Sequence, residues 1–280
     1  MFTAGPARAD ARRGHRHQET TARLRELEQQ HAARIGVFAR NLATNATVLH
    51  RAEERFPLCS LFKPLAAAAV LRDLDRDGET LAKRIHYTSA DVVENSEITS
   101  REDNLANGMT IAELSEAAIC HSDNTAGNLM LRELGGPTAI TRFCRSIQDN
   151  TTRLDRWEPT LNSAEPWRVE DTTSPRAIAR SYAKLVLGDV LDPLDRGRLT
   201  EWLLNNQTSG DRFRAVLAGW TVADKTGGGS YGTNNNVGIA WTPDGAPVVL
   251  AVLTTKHEAD ALPDSPLVAR TAALAAEALA

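Results

Sequence analysis

Apolar residues recur at helical spacing over Glu19–Ile35, placing Leu24, Leu27, His31 and Ile35 on one face and predicting a first helix there. From Gly36 the period changes. GVFARNLATNATVLH holds two short β-prone runs around the turn-like residues Asn41 to Asn45, a predicted hairpin. A second hairpin is predicted where VGIAWTPDGAPVVLAVLTT sets two Val/Ile-rich runs on either side of Pro243-Asp244-Gly245. A last helix follows over Ser265–Leu279. Between the ends, Ala66–Leu74, Ile111–Ile119, Ala126–Leu134 and Pro175–Leu187 are rich in Ala and Leu at helical spacing, and β-branched runs are scarce. Residues up to Gln18 are polar, rich in Arg and His and without periodicity, so they read as a tail. The layout predicts a discontinuous α/β lobe built from both ends of the chain and a helical lobe from its middle, with a cleft between them.

Composition narrows the function. The chain has 280 residues, 42% hydrophobic and 24% charged, as an ordinary globular protein does. Its net charge of −4 supplies no broad electropositive face, which argues against nucleic acid as a partner. The longest uncharged apolar stretch, Pro64–Leu71, is far short of the ~20 residues that span a bilayer. Three irregularly spaced cysteines, Cys59, Cys120 and Cys144, make neither a disulfide framework nor a zinc cluster and read as buried thiols. Ala7-Arg8-Ala9 before Asp10 reads like the small-residue site where a secretion signal is cut, so the expectation is a secreted protein whose signal peptide is represented only by its end. His15 and His17 read as solvated tail histidines.

Three short motifs carry candidate chemistry. Ser60-Leu61-Phe62-Lys63 puts a hydroxyl and an amine three residues apart at the start of an apolar helix, where the amine can reach the hydroxyl and the dipole favours an oxyanion. Pro64 suits this only at or near the first turn. A second Ser-x-x-Lys, Ser181 to Lys184, lies in mid-helix and reads as a solvent-facing polar pair. Ser122-Asp123-Asn124 by itself reads as a helix cap. Lys225-Thr226-Gly227, with Gly228 and Gly229 behind it, precedes a β run where small residues admit a close ligand.

Taken in order, the three motifs are the signature of class A β-lactamases and penicillin-binding proteins. From about Glu19 to the C-terminus the sequence resembles a class A serine β-lactamase of the actinobacterial sort. Arg156-Trp157-Glu158-Pro159-Thr160-Leu161-Asn162 resembles the Ω-loop of that family, whose glutamate the peptidases with the first three motifs lack. The resemblance implies an α/β (α+β) fold: an antiparallel sheet with N- and C-terminal helices, formed by residues 19–57 and 206–280, and an inserted helical lobe, residues 58–205.

Residue by residue, the resemblance makes Ser60 the nucleophile, activated by Lys63 or Glu158, with Ser122 passing a proton to the departing nitrogen. Glu158 and Asn162 hold the hydrolytic water. Asn124 takes the substrate's side-chain amide, and Lys225 keeps the potential positive. The N–H groups of Ser60 and Gly228 form the oxyanion hole, beside Gly227. Thr226 and an arginine hold the substrate carboxylate; Arg212 is the choice, with Arg214 the alternative. Arg156 and Asp171 are the ion pair closing the Ω-loop, and Glu158-Pro159 falls where the family has a cis peptide. The implied partners are β-lactam antibiotics and mechanism-based inhibitors such as clavulanate, with no cofactor or metal, and no heptad or repeat suggests more than a monomer.

Departures from the family also matter. Asn95 stands where an aromatic residue flanks the cleft, and Gly228 replaces a residue that often carries a methyl or hydroxyl. The expected consequence is a preference for penicillins over oxyimino cephalosporins. Ala67 and Ser115 occupy the positions of a disulfide found in some members, and Gly229 stands at the position where some carbapenem-hydrolysing relatives have the cysteine that partners the one at Cys59. Asp73 to Gly78 imitates the opening of an EF-hand, but Arg84 stands at the twelfth position, so it reads as a solvated turn. His121 reads as structural.

Overall fold

The computed structural model describes the backbone of residues 6–279 and the side chains of residues 18–279. Among the described residues nine strands follow one another: β1 Ala33–Asn41, β2 Thr47–His50, β3 Phe56–Pro57, β4 Arg84–Ile85, β5 Met109–Thr110, β6 Thr172–Thr173, β7 Thr221–Gly229, β8 Thr233–Trp241 and β9 Pro247–Lys256. Five of them form the central antiparallel sheet, in the order β2-β1-β9-β8-β7. The others make two short ribbons, β3 with β6 and β4 with β5.

The sheet is covered on both faces, which is why β9 reads as an unbroken apolar run. Successive residues alternate between the faces. Ile35, Val37, Leu250 and Val252 pack with Leu24, Leu27, Leu267 and Val268 of the terminal helices, while Phe38, Ala251 and Leu253 pack with the helical middle. Register follows from this alternation, with Val37 opposite Val252 and Phe38 opposite Ala251. At Gly36 a side chain would run into the Phe56 ring, 2.5 Å from a Cβ, so the strand passes closely over β3 only as glycine.

Both predicted hairpins are present, and Gly245 turns the second with φ +85°. The first helix differs from its expected span. It runs Pro6–Gln30, and Ile35 belongs to β1. Good helix formers carry the helix back through residues expected to be a tail, without apolar periodicity. It stops because Ala32 turns with φ +46° and the next nine residues pair along β9. Met1–Gly5 lie outside the described residues, as do the side chains of His15 and His17.

The helical middle holds Ile111–Cys120, Asn124–Glu133 and Pro175–Val186, close to their expected spans, and also Thr138–Ser146 and Pro193–Leu204. The segment expected as one helix over Ala66–Leu74 begins earlier and is composite: a 3₁₀ turn Cys59–Phe62, an α-helix Lys63–Ala69 and a π turn Val70–Leu74. Asp75 in the EF-hand imitation accepts from the N–H groups of Gly78 and Leu81, a turn that starts the next helix. Lys225-Thr226-Gly227 does not precede a strand; it lies inside β7, at the sheet edge. Ser181 is not solvent-facing either. It is 1% exposed and donates to Asp149 at 2.8 Å, because its helix face turns toward the segment after Thr138–Ser146. No helix among the described residues is long and apolar enough to cross a membrane.

Candidate active site

Five pieces of chain converge on a cleft of about 700 Å³ lined by Ser60, Ser122, Asn124, Asn162, Arg212 and Gly228, among others. Each is fixed by its own local chemistry. Ser60 sits in the 3₁₀ turn that opens the helix, with Pro64 in the first α-turn, where its missing N–H costs nothing. Cys59 before it is held at φ +46°, a left-handed conformation that costs a non-glycine residue on the order of 1 kcal/mol. The lead-in is tied down on both sides: Leu58 donates to the Asp171 carbonyl at 2.8 Å, and Asn235 of β8 donates to the Pro57 carbonyl at 2.9 Å.

Ser122 also takes a left-handed φ, +60°, between two helices. Asp123 behind it caps the second helix through the Ala126 N–H at 2.9 Å and gathers the N–H groups of Ile98 and Thr99 at the same distance. The cap reading therefore holds for Asp123, while Ser122 and Asn124 flank it on the cleft.

The buried charges form one connected set. Lys63 is fully buried and donates to the Ser122 carbonyl at 2.6 Å and to Asn124 Oδ1 at 2.7 Å, with Glu158 Oε1 at 3.3 Å. Ser60 Oγ donates to the same Glu158 oxygen at 3.4 Å. Asn162 Nδ2 holds the other carboxylate oxygen at 2.5 Å. Lys225, also fully buried, donates to Ser122 Oγ at 2.9 Å, so one hydroxyl touches both lysines, Lys63 lying 3.5 Å away. Burial pushes both ammonium groups below the ordinary lysine range; Glu158 opposes this at Lys63, and Lys63 reinforces it at Lys225.

Glu158 reaches the cleft on a loop with little regular structure. The Glu158-Pro159 peptide is cis, and a 3₁₀ turn, Thr160–Ser163, brings Asn162 round to the carboxylate. The stem is closed by Arg156, whose Nε lies 2.5 Å from Asp171; the buried Asp171 also accepts from the N–H groups of Asp155 and Arg156. Asn128 completes the loop and was missed from sequence. It donates to the Glu158 carbonyl at 2.9 Å and accepts from the Glu158 N–H at 3.0 Å. Its signal was present: it lies four residues after Asn124 on one helix, hence on the same face. Trp167 was missed too, an exposed ring edge-on to Tyr231 at 5.9 Å that joins the loop to the β7–β8 turn.

The glycines of β7 divide in role. A Cβ on Gly227 would meet Leu58 O, Cys59 and Leu61, each at 3.3 Å, so this glycine lets the strand back closely onto the nucleophile's turn. Gly228 faces the cleft with only Thr233 O near, at 3.8 Å. Gly229 lies against Cys59 Sγ, and all three cysteines are free and buried. Burial raises their thiols, to about 12 for Cys120.

The two arginine alternatives separate cleanly. Arg214 is spent inside the protein on Asp224, at 3.1 Å, and on the carbonyls of Leu203, Leu204 and Val222. Arg212 lines the cleft with a buried Nε that has no acceptor, and it donates to the carbonyl of Thr208, whose hydroxyl meets that of Thr226. The expected result is that Arg212→Gln raises KM about 10- to 100-fold with the fold intact. Arg214→Gln instead leaves Asp224 short of its cation and costs about 3 kcal/mol of stability. Thermal melts beside steady-state kinetics separate the two. His121, read as structural, is exposed and borders the cleft, and Asn95, with φ +57°, lines the same wall.

A serine at a strained helix start, two buried lysines and a carboxylate shared between serine and lysine define a site for acyl transfer through a serine ester. The chain belongs to the β-lactamase enzyme family, which it matches over residues 19–279, and it is a serine β-lactamase of class A. It is 64% identical to a β-lactamase of Streptomyces lavendulae over 91% of this chain and 85% of that protein, and 61% identical to one of Streptomyces fradiae over 99% and 90%. The solved structure of the β-lactamase from Streptomyces albus G superposes with a TM-score of 0.92 at 59% identity, covering 94% of this chain and all of that one. An ancestral class A β-lactamase gives 0.87 at 47% identity, over 92% and 99%.

Proposed function

We propose that the protein hydrolyses the lactam amide of penicillins, and of some cephalosporins, through an acyl-enzyme on Ser60 that a Glu158-activated water removes, and so confers β-lactam resistance. The observation that carries this reading is the sharing of Glu158 Oε1 by Ser60 Oγ and Lys63 Nζ, with Asn162 on the second oxygen.

The three N–H bonds of the Lys63 ammonium are shared among four acceptors, Ser122 O and Oγ, Asn124 Oδ1 and Glu158. As an ammonium it has no lone pair to offer, so the carboxylate that accepts from Ser60 is the acylation base. Ser60 Oγ attacks the lactam carbonyl carbon while its proton passes to Glu158. Negative charge develops on the carbonyl oxygen, to be met by the N–H groups of Ser60 and Gly228; losing one such donor typically costs ~10²–10³ in rate. The C–N bond then breaks as Ser122, held between the two lysines, gives its proton to the nitrogen; Lys63 returns a proton to Ser122 and takes from Glu158 the one that came from Ser60, so the carboxylate is free again. In the second half Glu158 takes a proton from water as the water attacks the ester, and gives it to Ser60 Oγ as the ester C–O bond breaks. The unpartnered Oδ1 of Asn162 is available to accept that water's other hydrogen.

Lys225, Thr226 and Arg212 suit the substrate carboxylate, and Asn124 Nδ2, now on the Glu94 carbonyl at 3.0 Å, stands beside the acylamino end. Open space over Gly228 and the short side chain of Asn95 leave few contacts for bulky oxyimino groups, which supports the preference for penicillins. The protein acts as a secreted monomer, and clavulanate acylates the same serine.

Because the Lys225 ammonium is held below its usual range, its charge is present at low pH and lost as pH rises, before an ordinary lysine near 10.4 would lose it. The KM for benzylpenicillin is therefore expected to climb on the alkaline side, at a pH below that at which an ordinary lysine loses its charge. Lys225→Arg should move that climb upward, since guanidinium stays charged. A flat KM in the native enzyme contradicts the assignment.

The test of function is to mix the protein with benzylpenicillin and follow lactam absorbance and intact mass together, with Ser60→Ala as control. Many turnovers, absent from the control, are expected, with lower kcat/KM on an oxyimino cephalosporin. A stoichiometric mass gain without turnover overturns the hydrolytic reading in favour of a covalent acceptor.

A further inference from the structure

A second cavity, of about 530 Å³, lies away from the catalytic cleft, between the β1–β9 pair and the helix Pro175–Val186. Its apolar lining is the exposed Leu42 with the edges of the buried Phe38, Ile147 and Val249. Its walls carry four cations, Arg40, Arg176, Arg180 and Lys184, against two carboxylates, Glu53 and Asp149, in a chain whose net charge is −4. Arg176, Arg180 and Lys184 recur every four residues on one helix face. Like charges at that spacing destabilise a helix, so helix stability does not account for the stripe.

Two of the cations are already engaged. Arg176 pairs with Glu53, and Lys184 donates to the carbonyl of Ile147, where the preceding helix ends. The Asp149 carboxylate is saturated by Ser181, Thr152 and the N–H groups of Thr151 and Thr152. Thus the second Ser-x-x-Lys motif holds no free nucleophile: its serine is bonded to Asp149 and its lysine to main chain. Two cations keep charge to spare. Arg180 is exposed and forms no ion pair among the described residues. Arg40 likewise has no carboxylate partner among them; it donates to Asn45 at 2.8 Å, while its Nε is buried without an acceptor.

We propose that this cavity is a second binding site, for a small amphipathic carboxylate whose apolar body lies on Phe38 and Val249 and whose carboxylate bridges Arg40 and Arg180. The site is independent of the acyl-enzyme chemistry and requires no bond to form.

The test uses naphthalene-2-carboxylate, titrated against its neutral carboxamide, with backbone amide shifts of the full chain as the readout. Saturable shifts are expected at Gln148 to Thr151 and Arg176 to Lys184, with the carboxamide at least about tenfold weaker. Arg180→Gln, an exposed change, should weaken binding about tenfold with benzylpenicillin turnover unchanged. Arg40→Gln together with it should abolish binding, whereas Arg212→Gln should leave it intact. Equal binding of the carboxamide overturns the proposal. So does the absence of saturable shifts, or shifts confined to Ser122 and Gly228 to Ser230 that vanish in Arg212→Gln.

Discussion

Glu158→Gln is expected to stop the enzyme halfway, with a long-lived Ser60 ester visible by mass and turnover reduced about 10²–10⁴-fold, the range of general-base catalysis. The site accommodates the amide. Its oxygen can face Lys63 and Ser60 as Oε1 does now, and its NH₂ then meets Asn162. Asn162 turns its unpartnered Oδ1 inward to accept it. Geometry is kept and the base is lost. Acylation should fall less than deacylation: without the Glu158 charge that opposes the effect of burial, Lys63 yields its proton more readily and can take the serine's in the carboxylate's place, whereas the water depends on the carboxylate. Rapid-quench mass spectrometry separates the steps, and undiminished turnover removes Glu158 from the mechanism.

Lys63→Met is expected to damage both chemistry and fold. Lys63 and the Glu158 side chain are both fully buried, so removing the ammonium leaves a carboxylate in the interior without its cation. Breaking such a pair costs about 3–5 kcal/mol. Ser60 also loses the pair that holds its acceptor in place, and acylation should drop about 10²–10⁴-fold. Chemical denaturation, alongside single-turnover acylation, checks both halves. A stability loss well under about 3–5 kcal/mol would mean that Lys63 contributes only packing. Gly127 supports this arrangement, since a Cβ there would lie 3.1 Å from Lys63 Cε, so a larger residue presses on the ammonium from below.

What the sequence determined by itself was whatever depends on near neighbours. Ser60 and Lys63, Ser122 to Asn124, and Glu158 with Asn162 each lie within about one turn of chain, so one helical or 3₁₀ turn fixes their relation; the order of the motifs along the chain and their resemblance to a known family, rather than spacing alone, made them legible. The hairpin at Pro243 to Gly245 and the helix Ser265–Leu279 were legible from local pattern. Tertiary structure decided whatever depended on burial by distant chain. Ser60 meets Glu158 across 98 residues, and Lys225 meets Ser122 across 103. Arg212 and Arg214 are alike in sequence, and only the buried Asp224 claims one of them. Lys225 to Gly227 became a strand, and Ile35 left its helical face, because β8 and β9 offered partners to pair with. Local spacing places donors and charges along the chain; which of them lose water together, and so acquire shifted proton affinities and shared partners, is settled only when the sheet and helices close over them.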